Sequence, residues 1–319
     1  MPDSISVVIR CFNEERTIGR LLKGLAAQTL PAQQIIVVDS GSTDGTLAVA
    51  SRFDVELHSI QPADFSFGRS LNLGCGLASG ALVVIASAHV YPVYDTWLEH
   101  LTSPFTNPDV ALTYGRQVGG PRTAYSERQV LGTWFPAISN LRQRHPFANN
   151  ANACVRRSDW EAMPYDEELT GLEDLAFASR LLRAGRDVAY VAEAPVVHVH
   201  EETWGQIVNR YRREAIAHRR IFHDQRMSPF DVLRLAAANI VSDYSHALRD
   251  RQLVGNLLSI PRFRIAQFLG TYEGFTQRGD VSAELRRRFY YPSAAARPEG
   301  PRTDAIGSPI DYDNRPGGD

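Results

Sequence analysis

Ile36-Val37-Val38-Asp39-Ser40-Gly41-Ser42-Thr43-Asp44-Gly45-Thr46 decides how this chain folds. Residues 35–38 form a continuous apolar, β-branched run without alternation, which reads as a strand buried on both faces. The run ends at an acid, and Gly41 and Gly45 supply the turn into a helix. The same plan stands upstream. Ile5-Ser6-Val7-Val8-Ile9 is a buried strand, residues 10–15 are polar, and Ile18, Leu21, Leu22 and Leu25 recur at helical spacing up to Gln28. Downstream, residues 55–57 read as a weaker strand and 68–78 as a helix. Residues 82–85 are another buried strand, ending in Ala86-Ser87-Ala88-His89. Strand and helix in this rhythm give right-handed βαβ units and an α/β parallel sheet. Ligands of such sheets bind beyond the carboxyl ends of the strands, where Arg10, Asn13, Asp39, Asp44 and His89 all fall.

From about residue 110 the pattern loosens. Strands are expected over 110–114, 151–155 and 188–191, with helices over 124–131 and 172–184, and Val196-Val197-His198-Val199-His200 alternates as a strand does. After Glu201 the chain turns helical. Trp204, Ile207, Val208 and Tyr211 share a face, and Arg210, Arg212, Arg213, Arg219 and Arg220 surround it. Further helices are expected over 231–244 and 254–275, interrupted at Pro261. Beyond Tyr291 the chain is rich in Pro, Gly and Asp, and disorder is expected. The reading is a catalytic domain over 1–200, a helical extension over 201–291 and a tail over 292–319.

The 319 residues are 44% hydrophobic and 22% charged, the balance of an ordinary globular protein. A formal net charge of −2 argues against a general nucleic-acid binder. Cys11, Cys75 and Cys154 form neither a CxxC pair nor a disulfide framework, so a reducing compartment is expected. No apolar run approaches the ~18 residues of a membrane span, and no basic, apolar leader is visible.

Several stretches bear two readings. Ser42 or Thr43 serves as an ordinary helix cap, while Asp39 is placed to accept from a nucleobase imide or a ribose hydroxyl. Arg69, in Phe65-Ser66-Phe67-Gly68-Arg69-Ser70-Leu71-Asn72, either belongs to a well-capped helix or turns its planar fork toward phosphate or base. His89 faces the cleft, with His198 and His200 later in the chain, and His89 with one later histidine makes a metal hypothesis. Neutral imidazoles suit Mn²⁺ less well than carboxylates do. Glu173-Asp174 opens a helix, where acids favour the macrodipole; otherwise one carboxylate is a general base. The amide cluster Asn149-Asn150-Ala151-Asn152 is a turn or a set of donors for sugar hydroxyls.

In order and spacing, these stretches resemble the inverting glycosyltransferases of family 2, which have the GT-A fold, over roughly residues 4–215. The residues that carry the resemblance are 6–15, 36–46, Arg69 to Asn72, Ser87-Ala88-His89, 147–153, Glu173-Asp174 and His198. The resemblance implies inverting transfer of a sugar from a UDP- or dTDP-sugar to a hydroxyl of a glycan or lipid-linked acceptor, in surface polysaccharide or glycoconjugate synthesis. A dTDP-donor rhamnosyl or other deoxysugar transferase is one form of this. Asp39, with Asn13 and Glu14, would hold the nucleoside, and Arg10, Asp44, Arg69, Asn72, Ser87, Asn150 and Asn152 would complete the donor site. Asp174 matches the catalytic base, with Glu173 as its helper. His89 matches the last residue of the family's Asp-x-Asp motif and, with His198, would hold Mn²⁺ or Mg²⁺. The chain departs from the pattern at Ser87, where the first acid is missing. The alternative is a catalytically silent relative that binds nucleotide-sugars or glycans. The implied location is cytoplasmic, with peripheral contact at the inner face of the membrane as one option. The arginines of the helical extension either line the solvated face of a packing layer or, through Arg210, Arg212 and Arg213 with Arg286-Arg287-Arg288, meet a lipid-linked diphosphate or an anionic membrane surface.

Overall fold

The computed structural model describes residues 4–61, 64–222, 227–276 and 307–312. Strands β1 (Ile5–Cys11), β2 (Gln34–Asp39), β3 (Glu56–Ser59) and β4 (Leu82–Ser87) run parallel in the order β3-β2-β1-β4. They are linked by helices α1 (Ile18–Ala26), α2 (Thr46–Ala50) and α3 (Phe67–Leu77). The register sets Cys11 beside Asp39 and Arg10 beside Ser87, so the strand ends share one edge. Both faces of β1, β2 and β4 are covered, which is why their central residues are apolar, whereas β3, at the edge, is largely exposed and polar. Val7 and Ile9 pack toward Leu21 and Leu22 of α1, and Val8 packs toward Leu71 and Cys75 of α3. At Gly74 a Cβ would stand 2.3 Å from Val8 Cγ1, so the helix lies against the sheet only because no side chain intervenes.

The sheet continues past β4 in mixed sense. β8 (Asn152–Arg156) lies antiparallel between β4 and β6 (Val110–Gly119), and β6 runs parallel to β9 (Asp187–His198). Two short strands, β5 (Val90–Pro92) and β7 (Asn140–Gln143), are antiparallel to β9. Sequence reading divides β9 into two strands because Glu193-Ala194-Pro195 interrupts the apolar pattern. The strand is continuous, and the register of β6 shifts opposite this stretch, which accommodates a proline without an N–H. Helices α4 (Trp97–Thr102), α5 (Tyr125–Trp134) and α6 (Arg157–Ala162) lie between β5 and β9 in the chain, followed by α7 (Glu173–Arg183), which packs Phe177 and Leu181 onto the same face of the sheet as α3.

The C-terminal layer is built from α8 (Trp204–Ile221), α9 (Pro229–Arg249), α10 (Leu253–Asn256) and α11 (Ser259–Thr276). The interruption expected at Pro261 falls earlier, between Asn256 and Ser259. Pro261 sits in the first turn of α11, where a missing N–H costs nothing. Arg264 of α11 and Asp243 of α9 form a fully buried bidentate pair at 2.8 Å, and Gln267 accepts from the remaining guanidinium nitrogen. Gly270 and Gly274 bring α11 against α8: Cβ atoms there would stand 2.2 Å from the Val208 carbonyl oxygen and 2.5 Å from that of Arg212. Gly270→Ala will therefore cost about 1–3 kcal/mol by overpacking, read as a melting temperature several degrees lower.

Residues 307–312, part of the tail expected to be disordered, pack beside β5 at the edge of the sheet. Ile310 N donates to Val93 O at 3.1 Å, Tyr312 Oη donates to Pro92 O at 2.6 Å, and the Tyr312 ring meets Tyr91 edge-on. The rest of that tail, 292–306 and 313–319, and Arg286 to Arg288 lie outside the described residues.

Candidate active site

The loops after β1 and β2 are tied together by reciprocal hydrogen bonds. Asn13, at φ +55°, accepts from Thr43 N at 2.8 Å, while its own N–H donates to Ser42 Oγ. Asp44 accepts from Glu15 N and Thr46 N, and Glu15 accepts from Gly45 N. These contacts form one wall of a cleft of about 1150 Å³, which reaches from Asn13, Glu14 and Asp44 past Arg10 and Ser87 to two clusters of titratable side chains.

The first cluster stands at the start of α7, set by Leu172 in the left-handed region at φ +56°. Asp174 accepts from Asn150 N at 3.1 Å and from its neighbour Leu175 N at 2.8 Å, one bond to each carboxylate oxygen, so each oxygen keeps a lone pair. Burial first, and the adjacent Glu173 charge second, push the Asp174 pKa up to about 7, against the opposing pull of those N–H groups and Arg10. Glu173 Oε1 lies 3.2 Å from Arg10 Nη1. The Arg10 guanidinium and that of Arg213 both lie over the Phe67 ring, at 5.2 and 4.7 Å from its centroid. Arg10 Nε and Asn150 Nδ2 are buried donors without a protein acceptor, and both residues line the cleft.

The second cluster is three imidazoles. β5 pairs Val90 with His198 of β9, and Val199 N donates to His89 O, which brings the turn after β4 beside the end of β9. The His89 and His198 rings stack at 5.0 Å, and each of His89, His198 and His200 has a ring nitrogen within 4.8 Å of those of the other two. Every Nδ1 is engaged by an oxygen: His89 by Glu14 at 2.7 Å, His198 by Gln117 at 2.6 Å and His200 by Glu127 at 2.6 Å. Gln117 Nε2 donates to Asn149, which fixes its amide oxygen toward His198. Burial, then neighbouring cationic and imidazole groups, hold His198 and His200 well below the usual histidine range, so both are neutral at pH 7. With Nδ1–H donating in each, both Nε2 atoms carry lone pairs, and they face each other at 2.7 Å. Two lone pairs at that distance repel unless an electrophile lies between them. The donor set therefore fits a divalent cation, with Glu14, Gln117 and Glu127 as the outer acceptors that such ligands ordinarily have. The neighbouring group of Glu127, His200 and Glu202 does not need an ion of its own, because Arg210 Nη2 lies 2.7 Å from both carboxylates.

The glycosyl transferase family 2 profile matches residues 6–160. Over that stretch, just under half of its length, the chain is similar to glycosyl transferase family 2. Two similar proteins are O-antigen chain rhamnosyltransferases, WbaN of Salmonella anatum and RfbN of Salmonella typhimurium. WbaN is 32% identical over 202 residues, 60% of this chain and 64% of WbaN. RfbN is 29% identical over 227 residues, 67% of this chain and 72% of RfbN. The matched stretch thus spans less than two thirds of WbaN. Among solved structures, a mannosyltransferase of Pyrobaculum calidifontis in complex with GDP-Man and Mn²⁺ superposes with a TM-score of 0.61 over 87% of each chain, at 17% identity. That likeness establishes the GT-A fold.

Not every residue singled out in the sequence reaches the cleft. Asp39 is 2% exposed, and its carboxylate accepts from Gly41 N, Ser42 N and Cys11 Sγ, closing its own loop. Arg69 binds Glu167 and the Asp64 carbonyl, and Asn72 bridges Trp160, Tyr165 and Glu167, so both clamp the 164–168 loop onto α3. Asn152 is fully buried, accepting from Trp97 Nε1 and donating to the carbonyls of Arg116 and Ala194. Arg210, placed by its sequence neighbours on an exposed basic face, lies inward behind the imidazoles. Arg212 stands 3.7 Å from Glu273, and Arg213 enters the cleft. Gln117, Glu127 and Glu202 gave no sequence signal, since isolated polar residues in a strand or helix look like surface positions.

Proposed function

We propose that this chain is an inverting sugar transferase that uses a nucleotide-diphosphate sugar and adds the sugar to a hydroxyl of a glycan or lipid-linked acceptor in surface polysaccharide synthesis. The observation that carries the reading is Asp174: a buried carboxylate with open lone pairs and a near-neutral pKa, in the same cleft as a convergent set of imidazole lone pairs. A buried ionisable carboxylate costs stability, and its retention beside a ligand-sized cleft is what a general base requires.

In the proposed reaction the acceptor oxygen attacks the anomeric carbon while its proton passes to Asp174. The bond from that carbon to the phosphate oxygen breaks on the opposite side, and its electron pair leaves with the nucleoside diphosphate. Glu173 holds Arg10 in place, so that Arg10 Nε and Asn150 Nδ2 are free to donate to sugar hydroxyls or phosphate oxygens. Asn13, Glu14 and Asp44 border the nucleoside end. His89, His198 and His200 would hold the divalent cation, which neutralises the charge developing on the departing diphosphate. Three imidazoles favour Mn²⁺ over Mg²⁺, since Mg²⁺ prefers oxygen ligands. The Salmonella rhamnosyltransferases favour a deoxysugar such as rhamnose as the group transferred. The proposed place of action is the cytoplasmic side of the membrane. No helix among the described residues is long and apolar enough to cross one.

Calorimetric titration of dTDP, UDP and GDP tests the donor half of this reading. Either dTDP or UDP is expected to bind at least about tenfold more tightly with Mn²⁺ than with Mg²⁺ or chelator. Absence of binding by all three in Mn²⁺ would overturn it.

A further inference from the structure

The outer side of α9 is unusually apolar for a face turned to solvent. The inner side of α9 buries Leu235, Asn239, Asp243 and Ala247, with Asp243 paired to Arg264 of α11, while its outer side presents Phe230, Leu233, Val241 and Leu248 to solvent. A helix that buries an ion pair and exposes its large apolar residues is not arranged for water on its outer face. The connection to α11 extends the patch. Val254 and Leu258 are 86% and 85% exposed, and no charged residue stands between Arg251 and Arg262. Among the described residues nothing covers this face.

We infer that the outer face of α9 and the apolar connection from α9 to α11 form a docking surface for an anionic lipid bilayer. The charge pattern selects this occupant. Arg249, Arg251 and Arg262 are exposed and flank the apolar connection on both sides. The acid among them, Asp250, accepts from Tyr125 Oη at 2.6 Å. Leucine and valine entering the acyl boundary with arginines at headgroup level is the arrangement of an interfacial anchor. A second copy related by a two-fold axis would bring this basic rim toward itself. The surface differs from the one considered from sequence, since Arg210 is paired with Glu127 and Glu202 and Arg213 lines the cleft. It extends the sugar-transfer reading in one respect: a lipid-linked acceptor would be met at the same membrane.

The test is co-sedimentation of the full chain with phosphatidylglycerol–phosphatidylcholine vesicles and with pure phosphatidylcholine vesicles, at low and high salt. The wild type is expected to bind the anionic vesicles, at least tenfold more weakly at high salt or without phosphatidylglycerol. Leu258→Asp and Val254→Asp are expected to reduce that binding at least tenfold with unchanged melting temperature and unchanged nucleotide binding, because both side chains stand in solvent. Arg251→Ala with Arg262→Ala is expected to remove the preference for anionic lipid. Wild-type protein that stays in the supernatant overturns the inference, whether it sediments as a monomer or as a dimer dispersed by Leu258→Asp. So does binding that survives the aspartate variants. Nucleotide binding is read separately, so a protein that binds vesicles and no nucleotide contradicts the sugar-transfer reading alone.

Discussion

Asp174→Asn will lower sugar transfer by about 10²–10⁴-fold, the range a positioned general base supplies, while nucleotide affinity stays within about twofold. The asparagine keeps the volume and can still accept from Asn150 N or Leu175 N, but it takes up no proton. The wild-type rate should follow the same group. Asp174 must be ionised to act, and its pKa is pushed up to about 7, so kcat/KM should fall about tenfold per pH unit below that value. Stability moves in the opposite sense. Between its unfolded value near 3.8 and its folded value near 7, the folded state holds the proton more tightly, so rising pH costs stability across that window. Asp174→Asn removes the cost. The variant should be more stable than the wild type at pH 8, by up to about 4 kcal/mol, with the difference vanishing toward pH 4. A thermal melt at the two pH values checks this without any substrate.

The second large effect concerns the imidazoles. His198→Ala and His200→Ala should each weaken Mn²⁺ binding at least about 100-fold, read as free Mn²⁺ by electron paramagnetic resonance. His89→Ala should abolish metal-stimulated turnover. Glu127→Gln is the informative intermediate. An amide oxygen still accepts from His200 Nδ1, but the negative charge shared with Arg210 is gone, so a loss of about tenfold is expected. If His200→Ala bound Mn²⁺ as tightly as the wild type, the facing lone pairs would need another explanation.

Much of this architecture is written in local sequence. The N-terminal βαβ units announce themselves because their strands are buried on both faces and therefore uninterrupted in apolar character. The strand ends, and with them Arg10, Asn13, Asp44 and His89, follow directly. Glu173 and Asp174 do open a helix as the sequence suggests, but that place alone does not single out Asp174, which is preferred through the resemblance. What local sequence does not carry is the direction in which a polar side chain points once long-range packing is complete. Arg69 and Asn72 carry the chemistry of phosphate or sugar recognition, yet the 164–168 loop, some hundred residues away, claims both. Asn152 has the same donors as Asn150, but two residues further on, at the start of β8, it lies in the core beside Trp97 rather than at the cleft. Arg210 looks solvated among five arginines and is instead neutralised by Glu127 and Glu202. His200 lies two residues beyond the end of β9, and only the pairing of β5 with β9 brings it and His198 to His89.

The central claim is that one cleft unites a carboxylate base with a metal-held nucleotide-sugar. Its most direct test is release of nucleoside diphosphate from a panel of dTDP-, UDP- and GDP-sugars, with Mn²⁺ and with chelator, for the wild type and Asp174→Asn. Slow release from one donor, dependent on Mn²⁺ and lost in Asp174→Asn, is the predicted result. Release that is unaffected by chelator, or that Asp174→Asn retains in full, would contradict the account.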